Sequence, residues 1–419
     1  MAFFNKVLPN GLTILVEEMD HVASVSYEFS LPGGFIADAE DRLGQAVLLA
    51  DVLCKGAGQY DSRQLSNEYD QYGIRHGEGC GLDRFTLAGS AVGANYKKGL
   101  ELTSSMIRAP QIPDSDIGAL KSILLQDLAS LRDNPARRSM VELTKRFHPA
   151  PFNRTSLGSQ EGIDKTDREQ LANLHNRYFR PQGSIVSVAG NVKAQEVFDT
   201  VEELFEGWAG EAPAPVDYGL APREEYYHID DDSAQLQIVM ANRTVPFGAP
   251  LYYEGKLVAS LLGSSMFGRL FMEVREKRGL CYSVYARHGS RKEYGTITAY
   301  VGTTAERAQE SLDVMLGEFR RLRGSVEEFE LERARTNLKA SLIMGEEAPS
   351  SRASSNASDW WLLSRVRPLA EIHDAIDRVS LESIDSFLEQ YPFTPCSILT
   401  LGSKRLEVDG DVVATEVTE

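Results

Sequence analysis

The sequence predicts an α+β fold of two homologous domains, each a mostly antiparallel sheet with helices packed on one face. Three observations lead there. Short β-branched strands are mixed with long amphipathic helices, without the regular strand–helix–strand alternation of a parallel α/β protein. One pattern is written twice: TDREQLANLHNRYFRPQGSIVSVAG (166–190) and SLESIDSFLEQYPFTPCSILTLG (380–402) each give a helix, a Tyr-containing break with proline, and a strand ending in glycine. The copies lie half a chain apart, too far for a solenoid repeat and right for duplicated domains. Finally, 419 residues exceed one ordinary core.

The elements follow in order. LPNGLTILVEE (8–18) reads as strand, Asn-Gly turn and strand. GQAVLLADVLCKG (44–56) reads as a helix running into a turn, and GIRHGEGCG (73–81) as a glycine-rich strand region. DRFTLAGSAVGANYKKGLELTSSMI (83–107) gives a strand then an amphipathic helix, an order that GTITAYVGTTAERAQESLDVMLGEF (295–319) repeats. A helix opens at Asp114 or Ser115 and runs through Arg132, stopped by Asn134-Pro135. Capping-box spacing marks helix starts at Thr166 with Glu169 and at Ser325 with Glu328. EGWAGEAPAPVDYGLAPREE (206–225) is rich in Ala, Pro and Gly and lacks apolar periodicity. The expected division is therefore residues 1–210, a linker at 211–225, and residues 226–419.

Composition narrows the function classes. Hydrophobic residues make up 42% and charged residues 25%, ordinary values for a globular protein. A net charge of −17 argues against nucleic acid and against an anionic membrane, both of which need clustered Lys and Arg. No apolar run reaches the ~18 residues of a membrane span. The N-terminal MAFFNKVLPNG turns before a signal-peptide core could form. Cys54, Cys80, Cys281 and Cys396 show no zinc or redox spacing and read as reduced thiols. A cytoplasmic protein is expected.

Several segments in order resemble the pitrilysin and mitochondrial-processing-peptidase family of zinc metallopeptidases, with its inverted HxxEH motif. They are LPNGLTILVEE (8–18), the LGS, YFRP and VAGNV elements within 148–192, LLGSSMFGRLFMEVREKRGLCYSVYA (261–286) and ELERARTNLKASLIM (330–344). In active members two histidines one helical turn apart bind zinc, the Glu between them activates water, and a remote acidic residue completes the site. Alignment on Gly44, Leu49 and Cys54-Lys55-Gly56 puts that motif on VLLAD. The first histidine position is Val47, the general base position Ala50, the second histidine position Asp51, and the remote ligand position Asp127. Val47 and Ala50 offer no donor. The histidines (His21, His76, His148, His175, His228, His288, His373) include no i, i+4 pair to replace the motif. No metal is expected in this chain, and peptide hydrolysis by it alone is not expected.

The resemblance also implies what the second half keeps. Family members carry an Arg and a Tyr that face the zinc site, and Arg275 and Tyr282 in EVREKRGLCYSV match their spacing, with Arg278 as the fallback for Arg275. A guanidinium can hold a substrate carbonyl and a phenol can donate to an oxyanion. Unaided, the same residues could be an Arg275 paired with Glu273 or Glu276 and a Tyr282 filling a strand. The region Ile74–Gly81 corresponds to where relatives lay a substrate as an added strand. Gly263 and Ser264-Ser265 fall on a glycine-rich stretch of some non-catalytic subunits, although one glycine alone remains. Trp360-Trp361 read as helix packing. The resemblance thus implies a non-catalytic subunit of a heterodimeric zinc peptidase, supplying Arg275 and Tyr282 to a partner that bears HxxEH and its zinc. The alternative is a proteolytically inactive structural subunit, like the core subunits of cytochrome bc1.

Overall fold

The computed structural model describes residues 2–211, 213–214, 223–263, 266–410 and 415–417. These form two compact units. The first holds residues 1–130, 154–217 and 343–366; the second holds 131–153, 218–342 and 367–419. Residues 212 and 215–222 of the expected 211–225 linker lie outside the described residues. Among the described residues no helix is long and apolar enough to cross a membrane.

The first unit carries strands β1 (Ala2–Val7), β2 (Thr13–Glu18), β3 (Ser24–Pro32), a short ribbon of β4 (Gly56–Ala57) and β5 (Tyr60–Asp61), then β6 (Arg75–Cys80), β7 (Arg84–Val92) and β8 (Ile185–Gly190). Its helices are α1 (Gln45–Val52), α2 (Ser62–Gln71), α3 (Tyr96–Arg108), α4 (Asp114–Ala129), α6 (Gln160–Lys165), α7 (Arg168–Tyr178), α8 (Ala194–Leu204) and α12 (Pro349–Leu363). The second unit carries β9 (Glu225–Asp230), β10 (Leu236–Thr244), β11 (Cys281–Ser290), β12 (Gly295–Thr303), β13 (Ser397–Gly402) and β14 (Thr415–Val417). With them go α5 (Pro135–Phe147), α9 (Tyr252–Gly263), α10 (Ala308–Arg321), most of α11 (Glu328–Glu346), α13 (Leu369–Asp377) and α14 (Leu381–Gln390).

The sheets run β1-β2-β8-β3-β7-β6 and β14-β9-β13-β10-β12-β11. In both, the third, fourth, fifth and sixth strands are antiparallel neighbours and the second and third are parallel. The α+β expectation holds. The twice-written segments take corresponding places: α7 and β8 beside α14 and β13, β7 and α3 beside β12 and α10. The first strand differs, since β1 pairs antiparallel from the N-terminal end and β14 parallel from the C-terminal end.

Helices cover one face of each sheet, as expected, but the other face is covered too. Strands β2, β8 and β13 are buried almost throughout, which a one-sided sheet does not allow. A single helix from the other half of the chain closes each second face. On the first sheet it is α12, whose Ala353 and Ala357 let it approach Leu15, Met19, Ile185 and Ala189. Arg352 and Asn356 of the same face reach the buried Glu17 of β2, at 2.9 and 2.7 Å. Trp360 and Trp361 pack beside them, and the Trp361 indole donates to Asp83 at 3.1 Å. On the second sheet it is α5, with Leu143 and Phe147 against Tyr227, Val239, Ala241 and Leu399. The division into 1–210 and 226–419 is therefore corrected by two exchanges: 131–153 packs with the second unit and 343–366 with the first.

Several helix starts shift by a residue or more. The capping box sits at Asp167 with Gln170, while Thr166 is buried and donates to the Gly162 carbonyl at 2.8 Å. Ser325 accepts from Arg269, and α11 begins at Glu328 with the Glu330 carboxylate accepting from Glu327 N–H. The helix expected from 114 to 132 is α4 followed by a 3₁₀ turn over Ser130–Asp133.

Candidate functional site

The helix α1 begins at Gly44, whose φ of 108° needs no side chain, and Asp38 caps it from a distance. The Asp38 carboxylate accepts from the backbone N–H of Gly44 at 2.7 Å and of Ala46 at 2.8 Å. Burial pushes its pKa up to about 7, against the pull of those two hydrogen bonds and of Arg154. The positions where the resemblance places zinc chemistry are filled by packing. Ala50 is buried in the core of the unit, and half-buried Val47 packs on the same core.

Asp51 is half-buried. Burial holds its carboxyl above the usual range, with Lys55 lowering it and Glu78 raising it. Asp127 sits on α4, which packs against α1, and its carbonyl accepts from Ser130 Oγ at 2.6 Å. Two carboxylates beside Val47 and Ala50 do not make a zinc site, which takes Cys, His and carboxylate donors in sets of three or four. Among the described residues no cluster of three His, Cys, Asp or Glu could hold a metal. The donor set does not fit the zinc that the family implies.

The strand region Ile74–Gly81 becomes β6, which ends the first sheet and pairs with β7 alone. Its unpaired edge has open backbone groups of the kind that accept an added strand. Alternation puts His76, Glu78 and Cys80 on one face. That face meets α1: Glu78 raises the pKa of both Asp51 and Cys54. His76 stacks on Tyr69 at 3.9 Å and its Nδ1 lies 2.8 Å from the Glu78 carboxylate. His76 and Glu78 were not singled out by sequence reasoning. The period-two spacing in HGEGC was the available signal.

In the second unit Arg275 and Tyr282 do come together. Arg275 lies in a π-helical turn, Phe271–Glu276, a local widening that re-aims side chains. Its Nη1 donates to the Tyr282 carbonyl at 2.7 Å, and the guanidinium lies 4.9 Å from the Phe271 ring and 5.3 Å from the Tyr282 ring. Tyr282 sits at a bulge where the β11–β12 register shifts between Cys281 and Ser283, and it is 79% exposed. Pairing of Arg275 with Glu273 does not occur. Glu273 is held by Lys277 and by Arg278 at 2.6 Å, so the fallback residue is the one engaged in a salt bridge. Among the described residues Arg275 has no carboxylate partner. Gly263 ends α9 where an added Cβ would come within 2.7 Å of the Ala286 backbone N, a packing role; Ser264 and Ser265 lie outside the described residues.

Comparisons with known proteins bear on the fold and the family resemblance. Residues 165–338 match the family model of the peptidase M16 inactive domain. An uncharacterized zinc protease of Rickettsia bellii is 25% identical over 81% of this chain and 83% of its own length. One of Bacillus subtilis is 23% identical over 91% and 93%. The crystal structure of a peptidase M16 inactive domain from Pseudomonas fluorescens superimposes with a TM-score of 0.85 at 19% identity, over 97% of this chain and 99% of that one. A protease from Helicobacter pylori gives 0.87 at 16%, over 96% and 99%. Residues 165–338 are thus similar to the peptidase M16 inactive domain, and the chain shares the fold of these structures over nearly its whole length.

Proposed function

We propose that this chain is the non-catalytic subunit of a heterodimeric zinc peptidase. It completes the chamber that encloses a peptide and supplies Arg275 and Tyr282 to the active site of a partner bearing HxxEH and zinc. The observation that carries this reading is the pair itself. An exposed phenol and an arginine without a carboxylate partner among the described residues are preorganised on a π-turn and a bulge, in a chain whose own α1 carries no histidine and no glutamate. A preorganised donor of that kind stabilises charge developing on a tetrahedral intermediate. The edge of β6 supports a peptide as substrate, through backbone hydrogen bonds without sequence preference.

The test is reconstitution of the purified chain with an HxxEH-bearing relative from the same organism. Zinc-dependent peptidase activity is expected from the pair and not from this chain. Arg275→Ala or Tyr282→Phe should lower kcat by about a hundredfold or more while the complex still forms by gel filtration. A stable complex whose activity ignores both substitutions would leave a structural subunit as the better account.

A further inference from the structure

At the opposite end of α1 from Asp51, the first unit contains a cavity of about 380 Å³. One wall is the segment from Ile36 to Gln45. The other is a single face of α7, where Gln170, Asn173, Leu174, Arg177 and Tyr178 share a helical stripe. Gln45 lines the cavity and is only 6% exposed. Arg42 Nε is buried without a partner, while the far side of its guanidinium meets Asp41 at 3.6 Å. Arg177 lies 5.4 Å over the Tyr178 ring and has no carboxylate among the described residues. Buried polar atoms without partners are rare in folded proteins, and Arg42 Nε on this cavity wall points to a ligand.

The chemistry of the lining selects that ligand. It is rich in N–H donors, and both oxygens of its one carboxylate, Asp38, are taken by the backbone of α1. A guanidinium offers Nε–H and Nη–H in a fork that fits the two oxygens of a carboxylate. Ile36, Leu174 and the Tyr178 ring supply an apolar flank.

We propose that this cavity binds a carboxylate carried on a short apolar group, with Arg42 and Arg177 on the oxygens and the Gln45 amide donating beside them. Such a carboxylate is found on a small free acid and at a peptide C-terminus. Titration calorimetry on the full chain separates the two, using 4-methylpentanoate, the tripeptide Ala-Ala-Leu, its C-terminal amide, and inorganic phosphate. Saturable binding of 4-methylpentanoate alone identifies a small-acid site; binding of the free tripeptide but not its amide identifies a C-terminus site. Either supports the proposal, provided that Arg42→Ala and Arg177→Ala each weaken the affinity by about tenfold or more. Arg177 is exposed, so its variant keeps the fold and the test stands even where Arg42→Ala is unstable. No saturable binding of either free carboxylate, equal binding of the amide, tighter binding of phosphate, or affinity unchanged in Arg177→Ala would each overturn it.

Discussion

The first sheet ends at β6, and against it stands α1, with Val47 and Ala50 turned to packing and Asp51 facing Glu78. The second sheet ends at the corresponding strand, β11, against which α9 packs. There the edge is broken by a bulge, and Arg275 and Tyr282 stand beside it. The same strand order thus carries two opposite outcomes. A helix that loses its donors can keep its place because methyl groups fill the same core. A half-buried arginine and an exposed tyrosine contribute little to that core, so packing does not explain why their geometry is so specific. The units differ in a second way. The closing helix of the first sheet is tied by a buried ion pair, Arg352 to Glu17, and that of the second by a more exposed one, Arg138 to Asp231 at 2.6 Å.

The largest expected effect tests that second difference. Arg352→Ala leaves Glu17, 4% exposed, without its charge partner and should cost about 3–5 kcal/mol in urea denaturation. Arg138→Ala should cost about 1 kcal/mol or less, because both side chains of that pair keep access to water. Equal losses would remove the distinction between the two closing helices.

A gain of function sharpens the comparison of the sites. The triple substitution Val47→His, Ala50→Glu and Asp51→His should bind zinc in a one-to-one ratio by metal analysis, with Asp127 as the remote ligand. At a hundredfold excess over Kd, bound zinc should add about 2.7 kcal/mol of stability. A triple variant that folds and takes up no zinc would mean that α1 has lost more than its donors.

The smallest effect is a pH dependence of opposite sign from named buried groups, Asp38 in the first unit and two histidines in the second. In the second, burial holds His148 and His288 down at about 4, with Arg291 and Lys256 adding to it. The unfolded chain therefore takes up those protons first, and stability falls as pH drops from about 6.5 to about 4. In the first, Asp38 is raised to about 7, so the folded chain protonates first and its contribution is lost as pH rises from about 4 to 7. Asp38→Asn should flatten the second trend, at the cost of one backbone hydrogen bond to α1. Unchanged pH curves in that variant would contradict the burial of Asp38 as the cause.

Legibility followed the range of the interactions. Strands such as SIVSVAG and SILTLG, and the helix GQAVLLADVLCKG, are specified by neighbours a few residues away, and their places were readable. The capping box moved from Thr166 to Asp167 because both residues can cap and the burial of Thr166 decided between them. The exchanged helices were not readable. PSSRASSNASDWWLL shows a polar helix with two tryptophans, and nothing local says that Arg352 answers a glutamate 335 residues earlier. The Arg275 and Tyr282 pair was found through resemblance. Its π-turn and bulge leave no periodic trace, and the face of His76 and Glu78 was hidden by the glycines around it.

The exchange of α12 has a consequence for synthesis. A ribosome releases β2 and β8 long before residues 343–366, so the nascent first unit waits with Glu17 and one face of its sheet uncovered. Folding cannot proceed strictly from the N-terminal domain onward. The first unit closes only when most of the second has been made, and a chain cut short before Arg352 would be a substrate for quality control rather than a half-protein.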